Sequence, residues 1–421
     1  MSFARRGVGV LPTPAIWRSA IQGRGDTPGV VVYLRRVAAS HRRANRSLGC
    51  VCVLLVVTVV GNGCSGGSRL PPDRRDRVGR ALDALIATGV PGAVVFVRDG
   101  RRTILLARGD ADTATFAPMG TATQFRVASI TKAFVAAVVL QLVAEGRLSL
   151  DEPVDDLVAG LLPSADSMIT VRQLLNHTSG LYDFASNWRW FWPYFHGHPG
   201  HRWAPHQLLA FALGHPLLFT PGSRWRYSNT NYVVLGLIIQ AVTGQTVGTE
   251  LEKRLFVPLG LHETTFDVGQ HSRIALAHGY THLGTRNVDS TGLSPSAWWA
   301  AGAIVSTAAD VARFYRALLR GMILPRRLMA AMETVVPTRE PGGGDGLGIF
   351  RTRMIGTLGP SFSVRCHVGW GNSGQIDGYL SSALTNREAS RQYVLLVNED
   401  PSAFPPGASA AVAAVADAAF C

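Results

Sequence analysis

Ser129-Ile130-Thr131-Lys132 sets a hydroxyl and an amine three residues apart. On a helix that spacing puts both side chains on one face, so the amine can take the hydroxyl proton and leave a nucleophile. The chain holds two lysines against 39 arginines. A guanidinium keeps its proton in proteins, so a lysine at this spot asks for a removable proton rather than for charge alone. A second cluster is Tyr227-Ser228-Asn229. A phenol can relay a proton when nearby cations favour its phenolate, and an Asn amide can hold a substrate carbonyl. Taken alone, the cluster reads equally well as a turn after Pro221-Gly222. A third is Gly371-Asn372-Ser373-Gly374-Gln375. Small residues beside glycine on a strand edge let a substrate main chain pair closely, although the same letters can write a plain strand-entry turn.

These groups need elements to hold them. Ser129 opens an apolar segment that reads as a helix to Glu145, stopped by Gly146. Ala93 to Val97, the turn Asp99-Gly100 and Thr103 to Ala107 read as a β-hairpin. Helical spacing marks 78–87, 304–319, 324–332 and 407–420, and strand patterns mark 347–354, 363–371, 377–384 and 392–398. Strands at both ends of the chain with helices between them predict an α+β fold. Its antiparallel sheet is flanked by helices, and a mostly helical lobe is inserted at about 150–300. The cleft between sheet and lobe is the expected site.

The three clusters come in the order and rough spacing of the serine β-lactamase/penicillin-binding protein family. Phe125 to Val154, Ile169 to Gln173, Ser179 to Asp183, Tyr227 to Gly236, Ala301 to Ala303 and the ending Ala418 to Cys421 resemble the secreted actinomycete D-alanyl-D-alanine carboxypeptidases. The resemblance spans about 80–421. It implies acyl transfer through a serine ester. Ser129 would attack, a desolvated Lys132 would take its proton, and Tyr227 would pass a proton to the leaving amine. Asn229 would hold a substrate amide, and backbone N–H groups of Ser129 and Gln375 would bind the oxyanion. The family's third motif is usually Lys or His, a small residue, then Gly. His367-Val368-Gly369 has the letters but sits five residues early. Asn372-Ser373-Gly374 keeps the seven-residue step to Tyr379 and follows Trp370-Gly371, so Asn372 is expected in the cleft near Ser129 and Tyr227. A neutral Asn there cannot supply the usual cation. Carboxypeptidases of this type also use an Arg for the substrate carboxylate. Arg351 and Arg353 lie near that position, which Phe350 itself occupies. Trp188, Trp190, Phe191, Trp192, Trp298 and Trp299 are candidate cleft walls.

Composition and charge bound the rest. The net charge of +13 is concentrated at the start, where residues 1–63 carry +8. No basic stripe interleaved with aromatics follows, which argues against nucleic acid. Arg42, Arg43 and Arg46 precede an apolar run from Leu48 to Gly61, too short to span a membrane and the length of a signal core. Gly61-Asn62-Gly63-Cys64 resembles a bacterial lipoprotein cleavage site, with Cys64 carrying the lipid; plain secretory cleavage and a lone anchor helix are the alternatives. The expected organisation is an unassigned 1–40, a signal at 41–64, a linker at 65–75 and one hydrolase domain at 76–421. Cys366 and Cys421 are the only cysteines of that domain, and an oxidising compartment favours a disulfide between them. His196, His198, His201 and His206 lack partners at metal-ligand spacing, so neither metal nor cofactor is expected. Expected partners are a peptide or small acyl substrate, β-lactams as inhibitors, and the membrane through the lipid.

Overall fold

Residues 93–97, Ala-Val-Val-Phe-Val, form the middle of a strand buried on both sides. Val94 and Phe96 face one apolar core, and Ala93, Val95 and Val97 face another. Alternation sends successive side chains to opposite faces, so a strand covered on both faces reads as one continuous apolar run. The computed structural model describes residues 73–421 apart from 164, 165, 167, 270–275, 284–285, 339–342 and 354–367.

The main sheet has nine antiparallel strands. Their order is β3 (Ala117–Pro118), β2 (Arg102–Asp112), β1 (Gly92–Asp99), β14 (Arg391–Val397), β13 (Tyr379–Thr385), β12 (Val368–Ile376), β11 (Phe350–Arg353), β10 (Gly344–Asp345) and β9 (Val336–Pro337). Among the described residues the first and last strands, β1 and β14, pair directly inside the sheet. Two smaller sheets hold β4 (Phe125–Arg126), β8 (Ile304–Ser306) and β5 (Thr265–Phe266), and the hairpin β6 (Tyr280–Leu283) with β7 (Arg286–Asp289).

Helix α1 (Arg74–Ile86) and the last helix of the chain cover one face, through Leu82, Leu85, Val415, Ala419 and Phe420. The other face carries α2 (Thr131–Ala144), α3 (Thr230–Thr243) and α4 (Ala308–Leu319); the last helix is α5 (Ala408–Phe420). From Ala133 to Leu140 every α2 residue is buried, as expected for a helix apolar on all sides. Between β4 and β8 the chain is mostly helix and turn.

Two expected boundaries moved. Ile304-Val305-Ser306 is a strand clamped between β4 and β5, not the first turn of a helix. The β-branched pair takes the sheet, and Thr307 caps α4 by accepting from the Asp310 N–H. Second, β12 runs on to Ile376, and the turn is Asp377-Gly378, with Gly378 at φ 85°. Residues 372–375 are therefore strand, not turn. The signal, Cys64 and Cys366 lie outside the described residues.

Candidate active site

Ser129 sits in a single 3-10 turn (Ala128–Ile130) that feeds α2. Ala128 before it is held at φ 50°, a backbone region that side-chain-bearing residues avoid. His177 and Trp299 share this feature, at φ 58° and 36°. Three of the five such residues among those described thus border one site, where backbone strain commonly collects.

The Ser129 Oγ lies 2.9 Å from Lys132 Nζ and 2.8 Å from the Tyr227 hydroxyl. Lys132 is 1% exposed. Its Nζ donates to Asn229 Oδ1 at 2.8 Å and to the Ala301 carbonyl at 2.7 Å. A neutral amine has two N–H bonds and one lone pair. Two acceptors take the N–H bonds, so the lone pair is left for the Ser129 hydroxyl. Burial pushes the Lys132 ammonium down to about 7, against the pull of Asp183 and Asp345. The amine is thus available as a base near neutral pH.

Burial raises the Tyr227 phenol above the usual value, and the hydrogen bond to Ser129 only partly offsets this. Lys132 Nζ lies over the ring, 5.0 Å from its centre, as it does over Tyr232 at 5.5 Å. A cation over the ring face binds the π system without selecting phenolate. Tyr227 is therefore a neutral phenol hydrogen-bonded to Ser129. His177 packs against it with centroids 4.4 Å apart. Burial first, then Lys132, hold His177 well below its ordinary value, so it is neutral. Its Nδ1 faces the Ser228 N–H and the Asn231 amide.

Asn229 Oδ1 accepts from Lys132, and its Nδ2 donates to both oxygens of Asp183, at 3.3 and 3.2 Å. Both ends of the amide are thus engaged within the protein, and one further N–H of Nδ2 is available to a substrate carbonyl. Asp345 is buried beside the same network. It accepts from Trp225 Nε1 at 2.8 Å, its Oδ1 has no partner, and burial raises it well above the carboxylate range.

The register of β12 decides what it offers. A Cβ on Gly374 would lie 2.7 Å from the Ser129 nitrogen and 2.6 Å from the Val127 oxygen. A Cβ on Gly369 would instead meet Phe420 and Leu384 on the opposite face. The strand thus passes the nucleophile at Gly374, the last residue of Asn372-Ser373-Gly374, and His367 lies outside the described residues. Ile376 and Tyr379 flank a two-residue turn, so they form a hydrogen-bonded pair, and Gln375–Leu380 is a non-bonded one. The Gln375 N–H and C=O therefore turn away from β13. Among the described residues no strand pairs with that edge beyond Gly371. With the Ser129 N–H at its helical start, this edge can cradle an oxyanion and a substrate main chain. The side chains of Ser373 and Gln375 project from the other face and are exposed, so only their main chain can serve the site.

Asn372 shares the inner face with Gly374. Its Oδ1 accepts from the Tyr315 hydroxyl of α4 at 2.7 Å, and its Nδ2 donates to the Gly348 carbonyl at 3.1 Å. It therefore ties β12 to α4, and its amide is not turned to Ser129 or Tyr227. Arg351 pairs opposite Trp370 and so lies on this face one strand out; its Nε is buried without a partner. Trp298 is half-buried, 5.0 Å from Trp190 between ring centroids, and lines a small cleft with Arg126, Tyr194 and Asp377. Trp188 and Trp192 are exposed, and Trp299 is buried.

Gly374→Ala should lower kcat/KM roughly 100-fold, because the Cβ meets main chain on both sides and must push the strand off the nucleophile. Steady-state kinetics beside a melting curve checks this. An unchanged kcat/KM would mean the close approach is immaterial.

The family model described as Beta-lactamase matches residues 78–418. The chain belongs to the beta-lactamase family of serine hydrolases. A D-stereospecific amidohydrolase from Streptomyces sp. is 36% identical, with a TM-score of 0.72 over 83% of this chain and 99% of that one. Esterase EstB of Burkholderia gladioli is 34% identical over 217 residues, 44% of this chain and 50% of the esterase. Penicillin-binding protein 4* of Bacillus subtilis is 34% identical over 150 residues, 35% of this chain and 31% of that protein. The chain thus spans half or less of these two curated relatives. Within this beta-lactamase-family site, sequence reasoning named Ser129, Lys132 and Tyr227. It missed His177, Asp345 and the Ala301 carbonyl, which are joined to the site only by folding. Asp183 was noticed solely as part of Ser179 to Asp183.

Proposed function

We propose that this serine hydrolase opens an amide bond beside a D-amino acid residue through an acyl ester on Ser129. The observation that carries the reading is the Lys132 amine, whose two N–H bonds are taken by Asn229 and Ala301 while its lone pair meets Ser129. Lys132 accepts the Ser129 proton as Oγ attacks the scissile carbonyl. The N–H groups of Ser129 and Gln375 hold the oxyanion. The C–N bond then breaks, the leaving nitrogen takes a proton from the Tyr227 hydroxyl, and the Lys132 ammonium gives up the proton it holds to restore the Tyr227 phenol. Water attacks the ester, gives a proton to Lys132 and releases the acid, and Ser129 recovers its hydrogen.

The D-amide preference is supported by the likeness to the Streptomyces amidohydrolase across nearly its whole length. A D-alanyl-D-alanine carboxypeptidase is the second reading, favoured by the unpartnered Arg351 Nε on the nucleophile's face. An esterase or a β-lactamase is the competing use of the same site. Turnover of D- and L-alanine p-nitroanilides, an N-acyl-D-alanyl-D-alanine and p-nitrophenyl acetate separates these. We expect the D-anilide to exceed the L-anilide by about tenfold or more, a difference of about 1.4 kcal/mol. Cleavage of the acetate alone would contradict the reading.

Export with a lipid on Cys64, and a Cys366–Cys421 disulfide, extend the proposal. Both rest on the apolar run before Cys64 and on the oxidising exterior that export implies. The mass of the mature protein, taken without reductant, should fit a lipidated chain starting at Cys64 with no free thiol. A mass that retains residues 41–63 would contradict cleavage and lipidation at Cys64.

A further inference from the structure

We infer that Asp183 is a positioning residue for Lys132, acting through the Asn229 side chain. This deepens the reading of Lys132 as the base and rests on it. A primary amide can sit either way round, and only its neighbours decide which end is oxygen. Asp183 decides here. Its Oδ1 accepts from the Asn229 backbone N–H at 3.1 Å, from Asn229 Nδ2 at 3.3 Å and from the Ala185 N–H at 3.2 Å. Its Oδ2 accepts from Nδ2 at 3.2 Å. Turning the amide over would set its oxygen against the carboxylate and its NH2 against the Lys132 amine. With Asp183 present, Oδ1 can only face Lys132. That contact and the Ala301 carbonyl fix both N–H bonds of the neutral amine, and so aim its lone pair at Ser129.

The loop bearing Asp183 is itself held to α3. The Phe184 N–H donates to Thr230 Oγ1 at 3.0 Å, and Thr230 Oγ1 donates to the Tyr182 carbonyl at 2.7 Å. Thr230 follows Asn229 directly, so acid and amide move as one unit.

Asp183 also brings charge. The groups that face Lys132 are Tyr227, Tyr232, His177, Asp345 and Asp183. Those that face Asp183 are Lys132, Tyr182 and Tyr227, with Arg226 beyond Tyr182. Burial raises the Asp183 carboxyl above its ordinary value, and three converging N–H groups and Lys132 work against this in favour of the anion. Asp345, with one donor and a bare oxygen, is the weaker of the two carboxylates that pull on Lys132, after Asp183. His177 and the tyrosines are neutral. Asp183 is thus the main counter-charge that keeps the Lys132 amine from falling further below its ordinary value.

The test is the rate of Ser129 labelling by a fluorophosphonate between pH 5 and 9, in the full-length protein and two variants. The wild type should show an acid limb centred at about 7, where Lys132 loses its proton. Asp183→Asn keeps an acceptor oxygen for all three N–H groups and removes the charge. Loss of a neighbouring negative charge lowers an ammonium pKa, so its limb should move to lower pH by roughly one unit. Asp183→Ala frees the amide to turn over, and its plateau rate should fall at least about tenfold. A structural role alone would not move the limb. An unmoved limb in Asp183→Asn, with melting unchanged, overturns the inference and spares Lys132. If Asp183→Ala does not fold, the Asn variant decides alone. A wild type without any acid limb near 7 would overturn the base reading itself, and with it this inference.

Discussion

Lys132→Arg should lower kcat/KM by roughly 10³ to 10⁴ while keeping a positive charge at the same place. The missing function is proton acceptance, since guanidinium does not give up its proton in a protein. The site is also cut to an amine: Nζ meets Ser129, Asn229 and Ala301 within 2.9 Å, and the side chain is buried. Near wild-type turnover in the arginine variant would show that Lys132 acts only as a charge. Stability offers an independent sign. The Lys132 pKa falls from 10.5 in the unfolded chain to about 7 in the folded one. The unfolded chain therefore binds the extra proton between those values, and native stability rises with pH across that window. Below about 7 the burial penalty is present in full. Lys132→Met removes the titrating group, so its stability relative to wild type should decline as pH rises from 7 to 10. A pH-independent difference in denaturant midpoints would count against a neutral buried amine.

Ser129→Ala should cost more, on the order of 10⁵ to 10⁶ in kcat. No second hydroxyl in the cluster can replace it. The Tyr227 phenol is raised by burial, and the hydrogen bond of its hydroxyl runs to Ser129, with the Lys132 amine over its ring. Fold and substrate cleft should survive, because the Oγ hydrogen bonds among the described residues run to Lys132 and Tyr227 of the site itself. Purified variant and wild type, compared on the best amide substrate, check the magnitude. Turnover within tenfold of wild type would move the nucleophile elsewhere.

How much of this could be read in the sequence follows from what each signal depends on. Ser129 and Lys132 were legible because their relation is local: three residues on a helix fix it. The paired termini were legible because 93–97 and 392–398 are both apolar runs of strand length. The end of β12 was misjudged because Asn372-Ser373-Gly374 has turn composition, and a strand edge bared for a substrate uses the same small residues. The Asn229 role was not legible, since an amide next to a tyrosine can face a ligand or an acid, and Asp183 lies 46 residues away in sequence. A neutral Asn372 offers no cation to favour a Tyr227 phenolate, and the geometry of Lys132 adds to this. Lys132 reaches the ring of Tyr227 from above rather than its oxygen from the side. The partner of Asn372 was not legible, because Tyr315 comes to it from α4, 57 residues earlier.

The most direct test of the account is the site of the covalent intermediate. Wild-type protein is exposed separately to a penicillin and to a fluorophosphonate, quenched in acid, digested and mapped by mass spectrometry. The account predicts one adduct with each reagent, on the peptide that contains Ser129, with the mass of the added acyl or phosphonyl group. An adduct on any other residue, or fluorophosphonate labelling that persists at full level in Ser129→Ala, would contradict it.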